Sequence, residues 1–182
     1  MVTSSTQKLL MGNADANNTN KYLSFVVGEE TYAISILKVK EILEYGGVTP
    51  VPMMPKFLRG AINLRGHVVP VVDLAMRLCG EKTEPSRRTC IIIVELKLDA
   101  SSMDVGLMVD LVSSVQDIDS GNIESAPSFG GKINTDYISG MGKTEDSFVI
   151  LLNVDRILSM EDLEKLSVAA EEPVADDEQE AE

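Results

Sequence analysis

An all-β fold built from two similar units is what this sequence predicts, and three observations carry that expectation. About ten short apolar runs alternate with turns rich in Gly and Pro, and helical periodicity is scarce. The stretch 57–78, FLRGAINLRGHVVPVVDLAMRL, returns without gaps as 137–158, YISGMGKTEDSFVILLNVDRIL, so that Phe57 falls on Tyr137, Gly60 on Gly140 and Leu78 on Leu158. Upstream, 38–42 resembles 114–118, each preceded by an apolar strand, 32–36 in one half and 105–109 in the other. An ordered series of strand, turn and strand in both halves points to one small β-unit made twice. Two barrels of five strands each, packed together, satisfy both the strand count and the repeat.

The elements follow in order. Residues 1–20 are polar, rich in Asn, Thr and Ser, and lack a sustained period, so they read as a loose arm with at most a frayed turn at 8–11. The alternation of 21–27, KYLSFVV, fits a strand; Gly28-Glu29-Glu30 supplies a hairpin turn and 31–36 returns. The stretch 37–45 is ambiguous, because Val39, Ile42 and Leu43 would line a helix face while Val39, Glu41 and Leu43 would share a strand face. Its counterpart near Val115 is more strand-like, so one helical turn near Leu37 followed by a strand is expected. Pro50, Pro52 and Pro55 exclude a helix or a central strand from 49–55, which becomes a stiff extended connector.

A hairpin is then expected around Asn63-Leu64-Arg65-Gly66, ending in a short helical turn at 73–80. The charged stretch 81–88, with Pro85, marks the seam between the halves; 89–98, TCIIIVELKL, is a strong strand, and 105–109 another. Gly121, Pro127, Gly130 and Gly131 make 120–136 the matching connector, and 148–154 is the final strand. A terminal helix over 155–165 would bury Ile157, Leu158, Leu163 and Leu166, with Ser159 and Glu161-Asp162 offering a new start. Disorder is expected from Ser167 onward.

Composition narrows the class. A chain of 182 residues, 44% hydrophobic, can bury a real core, and with 4% aromatic content and no Trp that core must be filled by Val, Ile, Leu and Met. Its apolar runs reach about five residues, against the roughly 20 that a membrane helix needs, and the N-terminus has no apolar core of a signal peptide. The reading is therefore a cytoplasmic protein with no direct membrane insertion. The net charge of −13 argues against nucleic acid and anionic lipid as partners. Seven acidic residues and no basic one lie in 171–182, which reads as a solvated acidic tail. Cys79 and Cys90, the only cysteines, lack metal-ligand spacing and stand with a single His, so they read as two buried thiols in a reducing compartment.

Chemistry is sparse. His67 sits in a turn where the other half has Ser147, and reads as solvated. No phosphate-cradling loop, nucleophile elbow or Cys–His pairing is present, and the acid pairs Glu29-Glu30 and Glu161-Asp162 lie in turn or helix-start contexts. No enzyme, no metal and no cofactor is expected. Two charged residues stand out by their neighbours. Glu41 lies within an apolar strand and Arg65 at a hairpin tip; their counterparts are Asp117 and Glu145, so only the first half can pair them. Such a pair is either a surface ion pair of about 0–1 kcal/mol or an interface anchor, a common use of Arg.

The motifs ILKVKEILE (36–44), TPVPMMP (49–55) and GAINLRGHVVPVVDL (60–74) resemble the CheW family of chemotaxis coupling proteins, over about 21–158. The resemblance implies a CheW-like fold of two intertwined five-stranded β-barrels with a short C-terminal helix. It implies a first barrel of about 31–84, a second of about 21–27 plus 88–154, and a domain of 21–166 between the arm 1–20 and the tail 167–182. It also implies a non-enzymatic adaptor that couples the cytoplasmic tips of methyl-accepting chemoreceptors to the regulatory domain of the histidine kinase CheA, recruited to membrane receptor arrays. Within the family the alternative is an array with a non-flagellar output such as pili-based motility. By position, Ile36, Val39, Glu41, Gly60 and Arg65 match the receptor-binding surface, with Glu41 and Arg65 as its paired charges and the others bordering an apolar groove.

Overall fold

The computed structural model describes residues 20–126 and 135–171. Most of the expected arm and much of the expected acidic tail lie outside the described residues. Among the described residues eleven strands occur: β1 (Lys21–Val27), β2 (Glu30–Ser35), β3 (Val39–Glu44), β4 (Leu58–Leu64), β5 (His67–Asp73), β6 (Cys90–Lys97), β7 (Ser102–Val109), β8 (Leu111–Asp117), β9 (Ile123–Glu124), β10 (Ile138–Lys143) and β11 (Phe148–Leu152). Helices are few and short: α1 (Leu74–Cys79), α2 (Val154–Ile157) and α3 (Met160–Glu171). The all-β class and the two-unit organisation are thus present, as a six-stranded sheet in the order β8-β1-β2-β11-β10-β9 and a five-stranded sheet in the order β3-β6-β7-β5-β4.

The repeat read from sequence is a repeat of structure. The hairpin β4–β5 with α1 and the hairpin β10–β11 with α2 stand eighty residues apart, and both carry a register shift at the same place, between Leu58 and Gly60 and between Ile138 and Gly140. The amide of Asp73 donates to Phe57 O at 2.7 Å, and the amide of Asn153 to Tyr137 O at 2.8 Å. Asp73 and Asn153 each cap the helix that follows. The isolated bridge Thr49↔Ala61 corresponds to the pairing of β9 with β10. With these equivalences the two strand orders coincide.

The division of strands between the units differs from the expected one. β1 pairs with β8 of the second half, as expected, but β2 follows it into the same sheet, where it runs parallel to β11 through Tyr32↔Ile150 and Ala33↔Leu151. The segment 90–109, expected in the second unit, joins the first: β6 lies between β3 and β7, and β7 runs parallel to β5. Each half therefore lends its opening hairpin to the other half's sheet. The physical reason is visible in β6, whose residues Cys90–Val94 are all buried. A strand buried on both faces needs a neighbour at each edge, and chain order alone does not say which sheet supplies them.

Crossing between sheets is local. After β2, Ser35 accepts a hydrogen bond from the amide of Leu37 and opens the 3-10 turn Ile36–Lys38, which leads into β3. This matches the expected helical turn and strand. Between β7 and β8, Asp110 turns the chain; its amide donates to Val26 O at 3.0 Å and its carboxylate accepts from Gly28 N at 2.6 Å.

The main core lies between the sheets, where Leu23, Phe25, Tyr32 and Ile34 meet Val72, Ile92 and Leu107. α1, α2 and α3 close it with Leu74, Val154, Ile157, Leu163 and Leu166. Each sheet has its own small cluster on its other face: Val69 and Val71 with Ile91, Ile93 and Met108 in one, and Val149 and Leu151 with Ala33 and Ile118 in the other. Arg77 ties the halves together. Its guanidinium lies 4.7 Å from the Phe57 ring and 5.2 Å from the ring of Tyr137, the repeat partner of Phe57. It donates through Nε to Ile157 O at 2.7 Å and through Nη2 to Asp162 at 3.0 Å.

Two further expectations need correction. α3 runs on through 167–171, so disorder does not begin at Ser167. Its start is set by Ser159 and Asp162, each side chain accepting from the other's amide, at 3.1 and 2.9 Å. Cys90 is buried as expected, but Cys79 is exposed, because it occupies the last position of α1, where the apolar face has already been completed by Leu78.

Candidate functional site: a charged cleft on the first-half sheet

The hairpin tip that presents Arg65 is built by its turn residues. Leu64 pairs with His67, leaving a two-residue loop in which Arg65 has φ 53° and Gly66 φ 86°. Two successive positive φ values make the type I′ turn that matches the twist of the flanking strands. Asn63 Oδ1 accepts from Gly66 N at 2.9 Å and holds the loop shut. Arg65 thus pays a left-handed conformation to stand 76% exposed at the tip, with Nη2 2.8 Å from Glu41 Oε2.

Glu41 reaches that position because β3 is bulged. The register against β6 shifts between Val39 and Glu41, so Val39 and Ile42 both face the main core although they are three residues apart. Glu41 lines the opposite side. Beside it, Lys40 Nζ binds Asp104 of β7 through both carboxylate oxygens, at 2.9 and 3.0 Å. That hydrogen bond holds the Lys40 ammonium above its ordinary range. Four charges, two of each sign, therefore rim a cleft of about 220 Å³ whose apolar floor is Leu64, Val69 and Ile93, with exposed His67 at its side. A second cavity of about 520 Å³, lined by Leu43, Val48, Ala61, Ile62 and Ile91, opens between the same two edge strands, β3 and β4. The edges of this sheet thus face each other, and the Glu41–Arg65 ion pair bridges them.

The five residues expected at the binding surface fall into three places. Glu41 and Arg65 come together as paired charges. Ile36 and Val39 sit at the crossover between sheets, Ile36 8% exposed in the main core and Val39 half-buried against it. Between them Leu37 is 56% exposed, and Lys38 pairs with Asp155 at 2.7 Å. Gly60 is buried in β4, with φ 147°, where an added Cβ would lie 2.1 Å from Thr49 O. It lets the 49–50 backbone cross β4 and offers no side chain to a partner. His67 is exposed, as its turn position suggested.

Sequence reasoning missed Lys40, Asp104 and exposed Leu37. Lys40 and Asp104 are 64 residues apart and meet only because β7 is lent to this sheet. It also missed the buried Asp73, which accepts from Ala75 N, Thr83 N and Thr83 Oγ1 at 3.1, 2.8 and 2.6 Å, with Arg59 Nη1 3.7 Å away. The Val-Val-Asp-Leu sequence at the strand-to-helix junction was the available signal. That network fixes the root of the β4–β5 hairpin and hence the height of its tip. Among the described residues, no cluster of three or more His, Cys, Asp or Glu side chains has the geometry to hold a metal ion.

Comparison with known proteins agrees with this architecture. The family model described as "CheW-like domain" matches residues 21–162. Chemotaxis protein CheW of Klebsiella aerogenes is 34% identical over 143 residues, covering 79% of this chain and 84% of its own length. Chemotaxis protein CheW of Bacillus subtilis is 34% identical over 149 residues, covering 81% and 92%. Protein FrzA of Myxococcus xanthus is 26% identical over 147 residues, covering 80% and 89%. The crystal structure of the scaffolding protein TtCheW from Thermoanaerobacter tengcongensis superposes with a TM-score of 0.70 at 34% identity, covering 79% of this chain and 90% of that one. The matched family model, relatives and fold coincide over the same two-sheet body, and the chain belongs to the CheW family.

Proposed function

We propose that this chain is a non-enzymatic adaptor of bacterial chemotaxis that couples methyl-accepting chemoreceptors to the histidine kinase CheA. The observation that carries the reading is the cleft between β3 and β4, where apolar side chains are framed by Glu41, Arg65, Lys40 and Asp104. An apolar floor supplies affinity to a docked helix and the surrounding charges set its register. Receptor binding is assigned to Glu41 and Arg65 together with the neighbouring crossover at 36–39, where Leu37 is exposed and Ile36 and Val39 shape the backbone. Gly60 serves that surface indirectly, by letting the connector at Thr49 pack against β4. The kinase binds elsewhere on the same body, so one chain holds two partners. Through these contacts the protein would work at the cytoplasmic side of receptor arrays; among the described residues no helix is long and apolar enough to cross a membrane.

The flagellar reading is preferred over a non-flagellar output because the relatives named as chemotaxis proteins share more identity with this chain than FrzA does. The test is reconstitution. Purified CheA is sedimented with membranes that carry a chemoreceptor, with and without this protein. The adaptor reading predicts kinase in the pellet only when the protein is added, and kinase that stays in the supernatant in both cases sinks it.

A further inference from the structure

The cavity of about 520 Å³ between β3 and β4 lies apart from the four charges of the neighbouring cleft. Its walls are apolar where Leu43, Val48, Ile62 and Ile91 meet, and Glu44 is the one charged residue that lines it. Glu44 is exposed and makes no ion pair among the described residues. At the rim, a Cβ added to Gly46 or Gly47 would meet nothing within 4 Å. The second half shows how such a place is filled. The amide of Tyr45 donates to Thr89 O at 3.0 Å and that of Ile118 to Asn20 O at 2.8 Å, so these two residues correspond. Thr49 and Glu124 correspond through their bridges to Ala61 and Met141. Between these points the first half has only residues 46–48, whereas the second has 119–123 and forms the 3-10 turn Ser120–Asn122. Ile118 is 2% exposed and packs so close that a Cβ on Gly142 would lie 3.0 Å from it; Tyr45 is only half-buried. Lys143 also pairs with Glu124, where the first half has the uncharged Asn63 and Thr49. The first half thus lacks a short stretch of apolar chain and a cation.

The chain carries both together, ahead of β1. Lys8 is the only basic side chain before Asn20, and Leu9-Leu10-Met11 follows it directly. The nine residues from Met11 to Asn20 span up to about 30 Å, against a radius of gyration of about 15 Å for a body of this size. The acidic stretch 171–182 has the sign that Glu44 repels. We propose that residues 8–11 of this chain seat in the β3–β4 cavity, with Leu9 and Leu10 against its apolar walls and the Lys8 ammonium beside the Glu44 carboxylate. Burial of the two leucines supplies the affinity, and the exposed ion pair, weak by itself, sets the direction in which the segment lies. Seated there, the segment braces the two edge strands that the Glu41–Arg65 pair bridges.

Two-dimensional amide spectra of the full 182-residue protein, compared with those of Leu9→Ser/Leu10→Ser, test the proposal. Both substitutions lie outside the two-sheet body. The signals of Gly46, Gly47, Val48 and Ile62 are expected to shift in the variant, while those of the second-half residues Asn122, Ile123 and Gly142 stay in place and report an intact fold. A synthetic peptide of residues 6–13, added to the variant, is expected to return the four signals toward their wild-type positions. The wild type should take up the same peptide on the order of tenfold more weakly, because its own segment already holds the cavity. Glu44→Lys, added to the variant, should weaken the peptide several-fold. The proposal fails if the four signals coincide in wild type and variant, or if the peptide acts equally on both. It fails as well if the wild-type signals move with protein concentration, which would place a second copy's segment in the cavity.

Discussion

Replacing Gly60 by Ala tests whether the backbone of β4 needs a glycine for the connector to pass. The added Cβ would stand 2.1 Å from Thr49 O, 2.7 Å from Thr49 C and 3.1 Å from Pro50 Cα, all backbone atoms that no side-chain rotation can move. The residue would also be held at φ 147°, outside the range of ordinary L residues. Strain of that kind costs about 1–3 kcal/mol and overpacking about 1–3 kcal/mol. Both amide hydrogen bonds of the Thr49–Ala61 bridge, at 2.9 and 2.8 Å, would have to yield as well. A total near 4 kcal/mol is expected, which for a domain of this size lowers Tm by roughly 8–16 °C. Gly140 is the internal control. Its repeat-equivalent Cβ would first meet Ile123 Cγ2 at 2.8 Å, a side-chain atom, besides Glu124 O at 2.9 Å, and its φ is not in the left-handed region. Gly140→Ala should cost about 1–2 kcal/mol. Thermal and urea unfolding of both variants measure the difference. Equal losses, or a Gly60→Ala protein melting within about 3 °C of wild type, would refute the steric account and leave Gly60 as a surface determinant.

Arg65→Asn keeps a residue at ease with positive φ and removes the charge; stability should change by less than about 0.5 kcal/mol in urea unfolding, since exposed ion pairs contribute little. Arg77→Ala removes two charge-assisted hydrogen bonds and two ring contacts that join the halves, and should lose about 3 kcal/mol, read from the shift in the urea midpoint. Asp73→Asn leaves the helix cap in place, as Asn153 shows at the equivalent position. It removes the carboxylate from beside Arg59 and Thr83, so a loss of about 2–4 kcal/mol measures that buried network alone, and a loss below about 1 kcal/mol would show Asp73 to be only a cap.

Much of this molecule was legible because its two halves repeat. The offset of eighty residues foretold matching hairpins, matching register shifts and matching capped helices, and the strand at 39–44 was rightly preferred once its counterpart was compared. The exchange of hairpins was only half legible. A family resemblance placed β1 with the second half, yet no pattern within KYLSFVV or CIIIVELK states which sheet a strand will enter, since its apolar faces are equally well buried in either. The same exchange hid Asp104, whose meeting with Lys40 depends on it. Of the expected site, Glu41 and Arg65 were legible as opposite charges present in one half only, and they do meet. Gly60 and Ile36 were named for the surface but are buried, because a residue that shapes a surface from below leaves the same trace in sequence as one that touches the partner. Cys79 was misplaced for a simpler reason: one position past the last buried Leu of a six-residue helix, the apolar face is already complete.

The most direct test of the adaptor account is a paired capture with the tagged protein and its Arg65→Asn variant, using a purified chemoreceptor cytoplasmic fragment and purified CheA. The account predicts that wild type retains both, and that the variant retains the kinase while its receptor signal falls several-fold at unchanged stability, as expected for loss of an exposed interface Arg. Capture of neither partner by wild type, or equal loss of both in a folded variant, would contradict it.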